Sequence, residues 1–147
     1  MEKPIFRVII AGGRYFNNYA MLCLYCDKML SEKAKTHEIE IVSGCCEGAD
    51  LLGIRYAQER GYNCLRMPAD WMNEGKAAGP KRNKRMAEQS QALIAFWNGE
   101  SRGTANMIQT ARDLGLLVRV KRLLTLTEAK ENGYNSLNLI SHERKCY

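Results

Sequence analysis

Four polar stretches of this chain carry the residue types that bind anions and other strongly polar ligands. Each stretch combines glycines, which leave the backbone open, with side chains that donate or accept strong hydrogen bonds. The candidate binding residues are Gly12, Gly13 and Arg14; then Ser43, Gly44, Gly48 and Asp50; then Asp70, Trp71, Arg82 and Asn83; and last Gly99, Ser101, Gly103 and Thr104. The chemistry that they predict depends on how the surrounding elements position them.

The second stretch is the most informative, because a strand, a glycine loop and a helix follow one another there. Residues 39–53 read IEIVSGCCEGADLLG, with a β-branched run ending at Ser43. The helix after Gly48 would direct its unpaired N–H groups and the positive end of its dipole toward the loop, which suits a phosphate, a carboxylate or a ribose hydroxyl. An ordinary strand-to-helix turn is the alternative, and Asp50 is also favoured simply as an acid in a first helical turn.

The other stretches offer complementary groups. Arg14 carries a guanidinium that can hold a phosphate through two hydrogen bonds. Trp71 can stack on a base or cover the core, and the sequence leaves both roles open. Ser101 and Thr104 place two hydroxyls in a second glycine-containing turn that also opens a helix.

Residues suited to catalysis or to metal binding are few. Glu47 and Glu100 are the loop carboxylates available for acid–base work, although either can be a solvated surface group, and Arg82 is the third weak catalytic candidate. Cys23 and Cys26 form a C-x-x-C inside a predicted helix, without the second ligand pair that a structural zinc site needs. No Walker lysine and no G-x-G-x-x-G is present. We therefore predict no metal and no cofactor.

Hydrophobic periodicity predicts five strands that alternate with helices. The predicted strands are residues 6–11, 39–42, 62–67, 92–97 and 116–123, and the predicted helices are 19–32, 50–60, a stretch continuing from Pro80 through Glu88, and 104–114. Residues 69–80 are predicted to form a long polar loop, which in a compact domain tends to be functional.

This alternation is typical of an α/β fold with a parallel sheet of about five strands in a single three-layer domain. The four polar stretches all follow the carboxyl ends of strands, where ligands bind in such sheets. We therefore expect them to converge on one crevice. Residues 1–123 are predicted to form the domain, and residues 124–147 a C-terminal tail of unknown role.

Composition narrows the class of protein. The chain has 147 residues, 46% of them hydrophobic, and a net charge of +6, which favours an anionic partner. No apolar run approaches the ~20 residues of a membrane span, and the opening residues lack a signal-peptide core. We expect a cytoplasmic protein with no membrane partner; whether it forms a homo-oligomer stays open.

The order of these motifs resembles the SLOG superfamily, the Rossmann-like group that includes the DNA-processing protein DprA and the LOG phosphoribohydrolases. The resemblance rests on GGRYF, SG-x-x-x-GADLL, ADW…GKAAGPKRNKRM and AFWNGESRGT, each after a predicted strand, and covers about residues 5–122. It is strongest for a small stand-alone branch with a GxRxF motif, long catalogued as a domain of unknown function. It implies a Rossmann-like fold that binds a nucleotide or nucleotide-derived ligand as its partner.

This chain departs from the SLOG pattern at two places that bear on enzymatic activity. Cys45 and Cys46 stand where relatives have small residues, and Met107 occupies the position of the LOG catalytic glutamate. The first hypothesis is therefore nucleotide binding, with a sensory role as one form of it. A LOG-like nucleoside monophosphate phosphoribohydrolase is the second, and single-stranded nucleic-acid binding as in DprA is the third, since few aromatics stand near the loops.

Overall fold

The computed structural model describes residues 2–124, which form a three-layer α/β fold with a five-stranded sheet. The strands are β1 (Ile5–Gly12), β2 (Glu38–Ser43), β3 (Asn63–Arg66), β4 (Ala92–Trp97) and β5 (Leu117–Arg122). The helices are α1 (Tyr19–Lys33), α2 (Ala49–Arg60), α3 (Trp71–Glu74), α4 (Ala78–Glu88) and α5 (Arg102–Asp113), with a 3₁₀ turn at Gly75–Ala77. The predicted tail, except Leu124, lies outside the described residues.

The sheet is parallel throughout, in the order β3-β2-β1-β4-β5. The chain moves outward from β1 through β2 to β3, and then returns to the other side of β1 to add β4 and β5. The strand order therefore reverses between β1 and β4, which is where ligand crevices open in sheets of this type. The predicted α/β class with a five-stranded parallel sheet is confirmed.

The central strands are buried on both faces, which explains their nearly continuous apolar runs. Val8, Ile10 and Ile94 face one layer with α1 and α2, while Ile9 and Leu93 face the opposite layer with α4 and α5. Alternate residues of a strand point to opposite faces, so one apolar run supplies both cores. The core thus holds the carboxyl ends of β1 and β4 in fixed positions.

Local signals in the sequence set most helix boundaries. The side chain of Asn18 caps α1 by accepting a hydrogen bond from the backbone N–H of Met21 at 3.0 Å. Gly61 ends α2 with a left-handed φ of 71°, as expected for a glycine just after a helix. Helix α5 begins at Arg102, two residues before the predicted start, because Ser101 is its cap.

One prediction about the elements is wrong. Residues 69–80 were predicted to form a polar loop, whereas α3 and the 3₁₀ turn occupy Trp71–Ala77 and α4 already begins at Ala78. The side chain of Asp70 starts α3 by accepting a hydrogen bond from the backbone N–H of Asn73. The segment is too short and polar to show a helical period, so its capping residue was the only local signal.

Candidate functional site

A small cavity lies at the carboxyl edge of the sheet, where the strand order reverses. Its volume is about 20 Å³, and its walls come from β1, α2, α4 and the start of α5. The predicted site residues that line it are Gly12, Asp50, Arg82, Asn83, Ser101, Gly103 and Thr104. Residues from all four polar stretches therefore converge on one place, as the positions of the strand ends predict.

Arg82 is the central polar side chain of this cavity. It lies on α4 and is only 3% exposed, which is rare for a side chain that bears a guanidinium. Its Nη1 donates to the carbonyl oxygens of Gly44, at 2.6 Å, and Met67, at 3.4 Å, while Nε donates to Oδ1 of Asn83 at 3.0 Å. The guanidinium thus joins α4 to the loops after β2 and β3. Burial lowers the pKa of Arg82, and the nearby Asp50 opposes that shift.

Asp50 adds a buried carboxyl from the first turn of α2. It is 7% exposed, and its Oδ2 accepts a hydrogen bond from the backbone N–H of Cys46 at 3.2 Å. Burial raises the pKa of the Asp50 carboxyl to about 7, against the opposing effects of Arg82 and of the Cys46 N–H. Near neutral pH this carboxyl therefore exchanges a proton, and it can either donate or accept a hydrogen bond.

Asn83 links Arg82 to the fourth polar stretch. Its side-chain amide donates to Oδ1 of Asn106 at 2.9 Å and to the carbonyl oxygen of Gly103 at 3.5 Å. Ser101 and Thr104 lie within the same turn, their hydroxyl oxygens 3.0 Å apart, and both are buried. The cavity wall therefore holds two hydroxyls beside the start of α5, where the helix dipole favours negative charge.

The loop after β2 is ordered mainly by contacts within the protein. Ser43 is fully buried, and its hydroxyl donates to the carbonyl oxygen of Asp50 and accepts from the backbone N–H of Cys45. The first N–H of α2, that of Ala49, donates to the carbonyl oxygen of Gly13 at 3.2 Å. The expected anion corner is thus occupied in part by the loop that follows β1.

Gly48 shows why this corner needs a glycine. Its φ is +81°, and a methyl group at this position would lie 2.2 Å from the carbonyl oxygen of Gly13 and 2.4 Å from that of Arg14. The close approach is therefore between two loops of the protein. It brings the GGR segment against the start of α2 and so sets the position of Arg14.

Arg14 stands at the edge of this region with hydrogen-bonding capacity left over. Its Nε is buried and has no hydrogen-bond partner, a situation found for no other side-chain nitrogen or oxygen within residues 2–124. This Nε forms an ion pair with the exposed carboxylate of Glu47 at 3.8 Å, which is longer than a hydrogen bond. A buried donor without a partner is costly, so it marks a position where a ligand acceptor would be stabilising.

The remaining predicted residues lie outside the cavity wall. Glu47 is 72% exposed at its side chain, and Glu100 is also exposed, so neither carboxylate faces the cavity. Asp70 caps α3, and Trp71 is 46% exposed on that helix. A methyl group at Gly99 would lie 2.7 Å from the guanidinium of Arg122, so this glycine accommodates that side chain.

Two participants were missed by sequence reasoning. Asn98 is 2% exposed, and its Oδ1 accepts hydrogen bonds from the backbone N–H groups of Glu100 and Ser101, which shapes the turn before α5. An asparagine before a glycine at a strand end was an available signal for such a turn. Asn106, which pairs with Asn83, carried no local signal because its partner is 23 residues away.

Comparison with known proteins agrees with this architecture. The family model described as YAcAr, the YspA, cpYpsA-related SLOG family, matches residues 6–73, from β1 into α3. The expected SLOG resemblance is confirmed. A solved structure, the X-ray structure of TM1055 from a structural genomics consortium, is similar with a TM-score of 0.55 and 18% identity, covering 80% of this chain and 72% of that one. At this identity the likeness shows the fold. No curated protein matches the chain.

The SLOG match covers the first two polar stretches and the start of the third. The last polar stretch, which supplies Ser101 and Thr104, lies beyond the matched residues. Within residues 2–124, no helix is both long enough and apolar enough to cross a membrane.

Proposed function

We propose that this protein binds a nucleotide or nucleotide-derived ligand in the crevice at the carboxyl ends of β1 and β4, as a binder or sensor. The observation that carries the proposal is the buried set of Asp50, Arg82 and Asn83 facing Ser101 and Thr104 at the reversal of strand order. Buried polar groups on a cavity wall are typical of ligand sites in open α/β sheets. The SLOG resemblance supports a nucleotide-related ligand.

The size of the cavity limits how such a ligand would bind. A volume of about 20 Å³ is room for about one water molecule, so a whole nucleotide does not fit inside it. The ligand would lie in the open crevice and insert one small polar group toward Asp50 and Arg82. Because Asp50 titrates near neutrality, this contact suits a hydroxyl or an amino group.

Arg14 is the residue best placed to read a phosphate. Its buried Nε lacks a hydrogen-bond partner, and its loop is held against the start of α2 by Gly48. A charge-assisted hydrogen bond from a guanidinium to a phosphate contributes about 1.5–3 kcal/mol. We therefore assign Arg14 to phosphate recognition, and Asp50 and Arg82 to a polar group elsewhere on the ligand.

A thermal-shift screen with nucleotides, nucleoside monophosphates, dinucleotides and nucleosides tests the proposal. A ligand at ~100 times its Kd adds about 2.7 kcal/mol to the free energy of unfolding, which raises the Tm by several degrees. Arg14→Gln should weaken nucleotide binding about tenfold and leave nucleoside binding nearly unchanged. Arg112→Gln, at the exposed end of α5, is the matched control and should bind as the wild type does.

The outcomes separate the hypotheses. A flat response to the whole panel, combined with tight and salt-sensitive binding of single-stranded oligonucleotides, would replace nucleotide binding with nucleic-acid binding. One observation favours the nucleotide. A groove for single-stranded nucleic acid needs cations that are free to contact the backbone, whereas Lys81 and Arg85 pair with Glu74.

A phosphoribohydrolase is the second candidate, and one observation keeps it open. Asp50 is a carboxylate on the cavity wall, and burial raises its pKa into the range useful for general acid–base catalysis. Against this, the LOG glutamate position holds Met107, whose buried side chain lines the same cavity without a titratable group.

A further inference from the structure

A second and larger opening lies between α1 and β5, on the sheet face opposite α4 and α5. Its volume is about 480 Å³, within the range of small-molecule sites. We call it the α1–β5 groove. It shares no lining residue with the crevice described above.

The inside of the groove is apolar. Ile94, only 2% exposed, forms the floor on β4, while Tyr25 and Met29 form the wall on α1. Leu117 adds an aliphatic side chain from β5 that is 44% exposed. An aliphatic and aromatic surface of this kind gains free energy when an apolar body covers it.

The rim of the groove is cationic. Lys28 on α1 and Arg119 and Lys121 on β5 line it, and its lining among the described residues contains no carboxylate. The ammonium groups of Lys28 and Lys121 lie 5.1 and 5.2 Å from the centroid of the same ring, that of Tyr25. Both cations thus lie on the same aromatic ring, within about 10 Å of each other.

These cations have no acidic partner in the part of the chain that the structure describes. No carboxylate of residues 2–124 forms an ion pair with Lys28, Arg119 or Lys121, whereas Lys35, Lys81 and Arg85 each have one. An anion placed over the groove would be attracted by these unpaired cations and would contact the apolar lining with the rest of its body.

We propose that the α1–β5 groove is a second binding site, for a small amphipathic anion with an apolar aromatic or aliphatic body and one acidic group. The apolar body lies on Tyr25, Met29 and Leu117, and the acidic group contacts the cationic rim. This site does not depend on what the crevice binds.

NMR titration of the full chain tests the site with two probes of opposite charge. Naphthalene-1-sulfonate should shift the methyl signals of Met29 and Leu117 and saturate at millimolar concentration or below. Naphthalen-1-ylmethylammonium, which has the same ring and a positive charge, should leave them unchanged. Equal shifts with both probes, no shift at the groove, or shifts centred on Asp50 and Ser101 would overturn the proposal.

Charge reversal provides the matched variants. The double variant Lys28→Glu, Lys121→Glu should weaken sulfonate binding at least tenfold. Arg119→Glu alone should weaken it severalfold, and it provides the test if the double variant does not fold. Lys84→Glu makes the same charge change at an exposed position on α4 and should bind as the wild type does. Unchanged affinity in a folded Arg119→Glu and a folded double variant would refute the role of the rim.

Discussion

The side chains of Asp50, on α2, and Arg82, on α4, both lie close to the Cα atom of Gly44. A methyl group on Gly44 would lie 2.8 Å from Oδ2 of Asp50 and 2.7 Å from Nη1 of Arg82. The absence of a side chain at Gly44 therefore allows a carboxylate of α2 and a guanidinium of α4 to share one buried space. Four predictions follow from this arrangement and from the loops around it.

Replacing Asp50 with asparagine should change how stability depends on pH. Burial raises the pKa of this carboxyl to about 7 in the folded protein, from an ordinary value of 3.8. Between these values the folded state holds a proton that the unfolded chain has released, so this group stabilises the fold at low pH and ceases to do so as the pH rises through 7. The difference between these two pKa values corresponds to a change of at most about 4 kcal/mol in the free energy of unfolding.

Urea denaturation between pH 4 and pH 8 measures this effect. The free energy of unfolding of the wild type should fall relative to that of Asp50→Asn as the pH rises, and the difference should level off above pH 8. Parallel profiles for the two proteins would show that the Asp50 carboxyl titrates at its ordinary value in the fold.

Arg82→Lys should destabilise the protein by about 3 kcal/mol. A lysine ammonium cannot reproduce the planar fork by which Arg82 bonds Gly44, Met67 and Asn83, and buried acceptors without partners cost about 1–3 kcal/mol each. Arg85→Lys is the control on the same helix. Arg85 is exposed and, among residues 2–124, bonds only Glu74, so its replacement should cost less than ~1 kcal/mol. Chemical denaturation measures the free energy of unfolding of both variants. Similar decreases in the two would contradict a structural role for the buried guanidinium.

Gly48→Ala should be much more destabilising than Gly61→Ala. Both glycines have a positive φ, 81° and 71°, but a methyl group at Gly61 would meet nothing within 4 Å, whereas one at Gly48 would overlap the backbone of Gly13 and Arg14. Backbone strain costs roughly 1–2 kcal/mol in either variant, and the overlap at Gly48 adds about 1–3 kcal/mol. Thermal unfolding of the two variants compares them directly. Equal Tm values would mean that the loop after β1 can move away freely.

The purified protein should not release base from nucleoside monophosphates at several turnovers per second. General acid–base catalysis by a positioned group contributes ~10²–10⁴-fold, and neither Glu47 nor Glu100 faces the cavity. Chromatography of free base after incubation measures the rate. Turnover at that rate, abolished in Asp50→Asn and retained in Glu47→Gln and Glu100→Gln, would instead make Asp50 the carboxylate of a hydrolase.

Local patterns in the sequence were sufficient for the five strands, for the helices α1, α2, α4 and α5, and for the edge of the sheet that carries the site. The apolar runs at Val8–Ile10 and 92–97, and the glycines that end helices at Gly61 and Gly115, depend on neighbours in the chain. Because parallel strands place their carboxyl ends together, the convergence of the four polar stretches was also predictable. Asp50, Arg82, Asn83, Ser101 and Thr104 do line one cavity.

Only the tertiary structure decided what each of these residues contacts. Arg82 reaches the carbonyl oxygen of Gly44 from 38 residues away, and the first N–H of α2 bonds Gly13 where a free anion corner was expected. Trp71 begins a short helix and does not line the cavity. The reason is physical: sequence spacing determines local backbone geometry, whereas burial and the pairing of distant donors and acceptors depend on how the packed layers place α4 and the loops against one another.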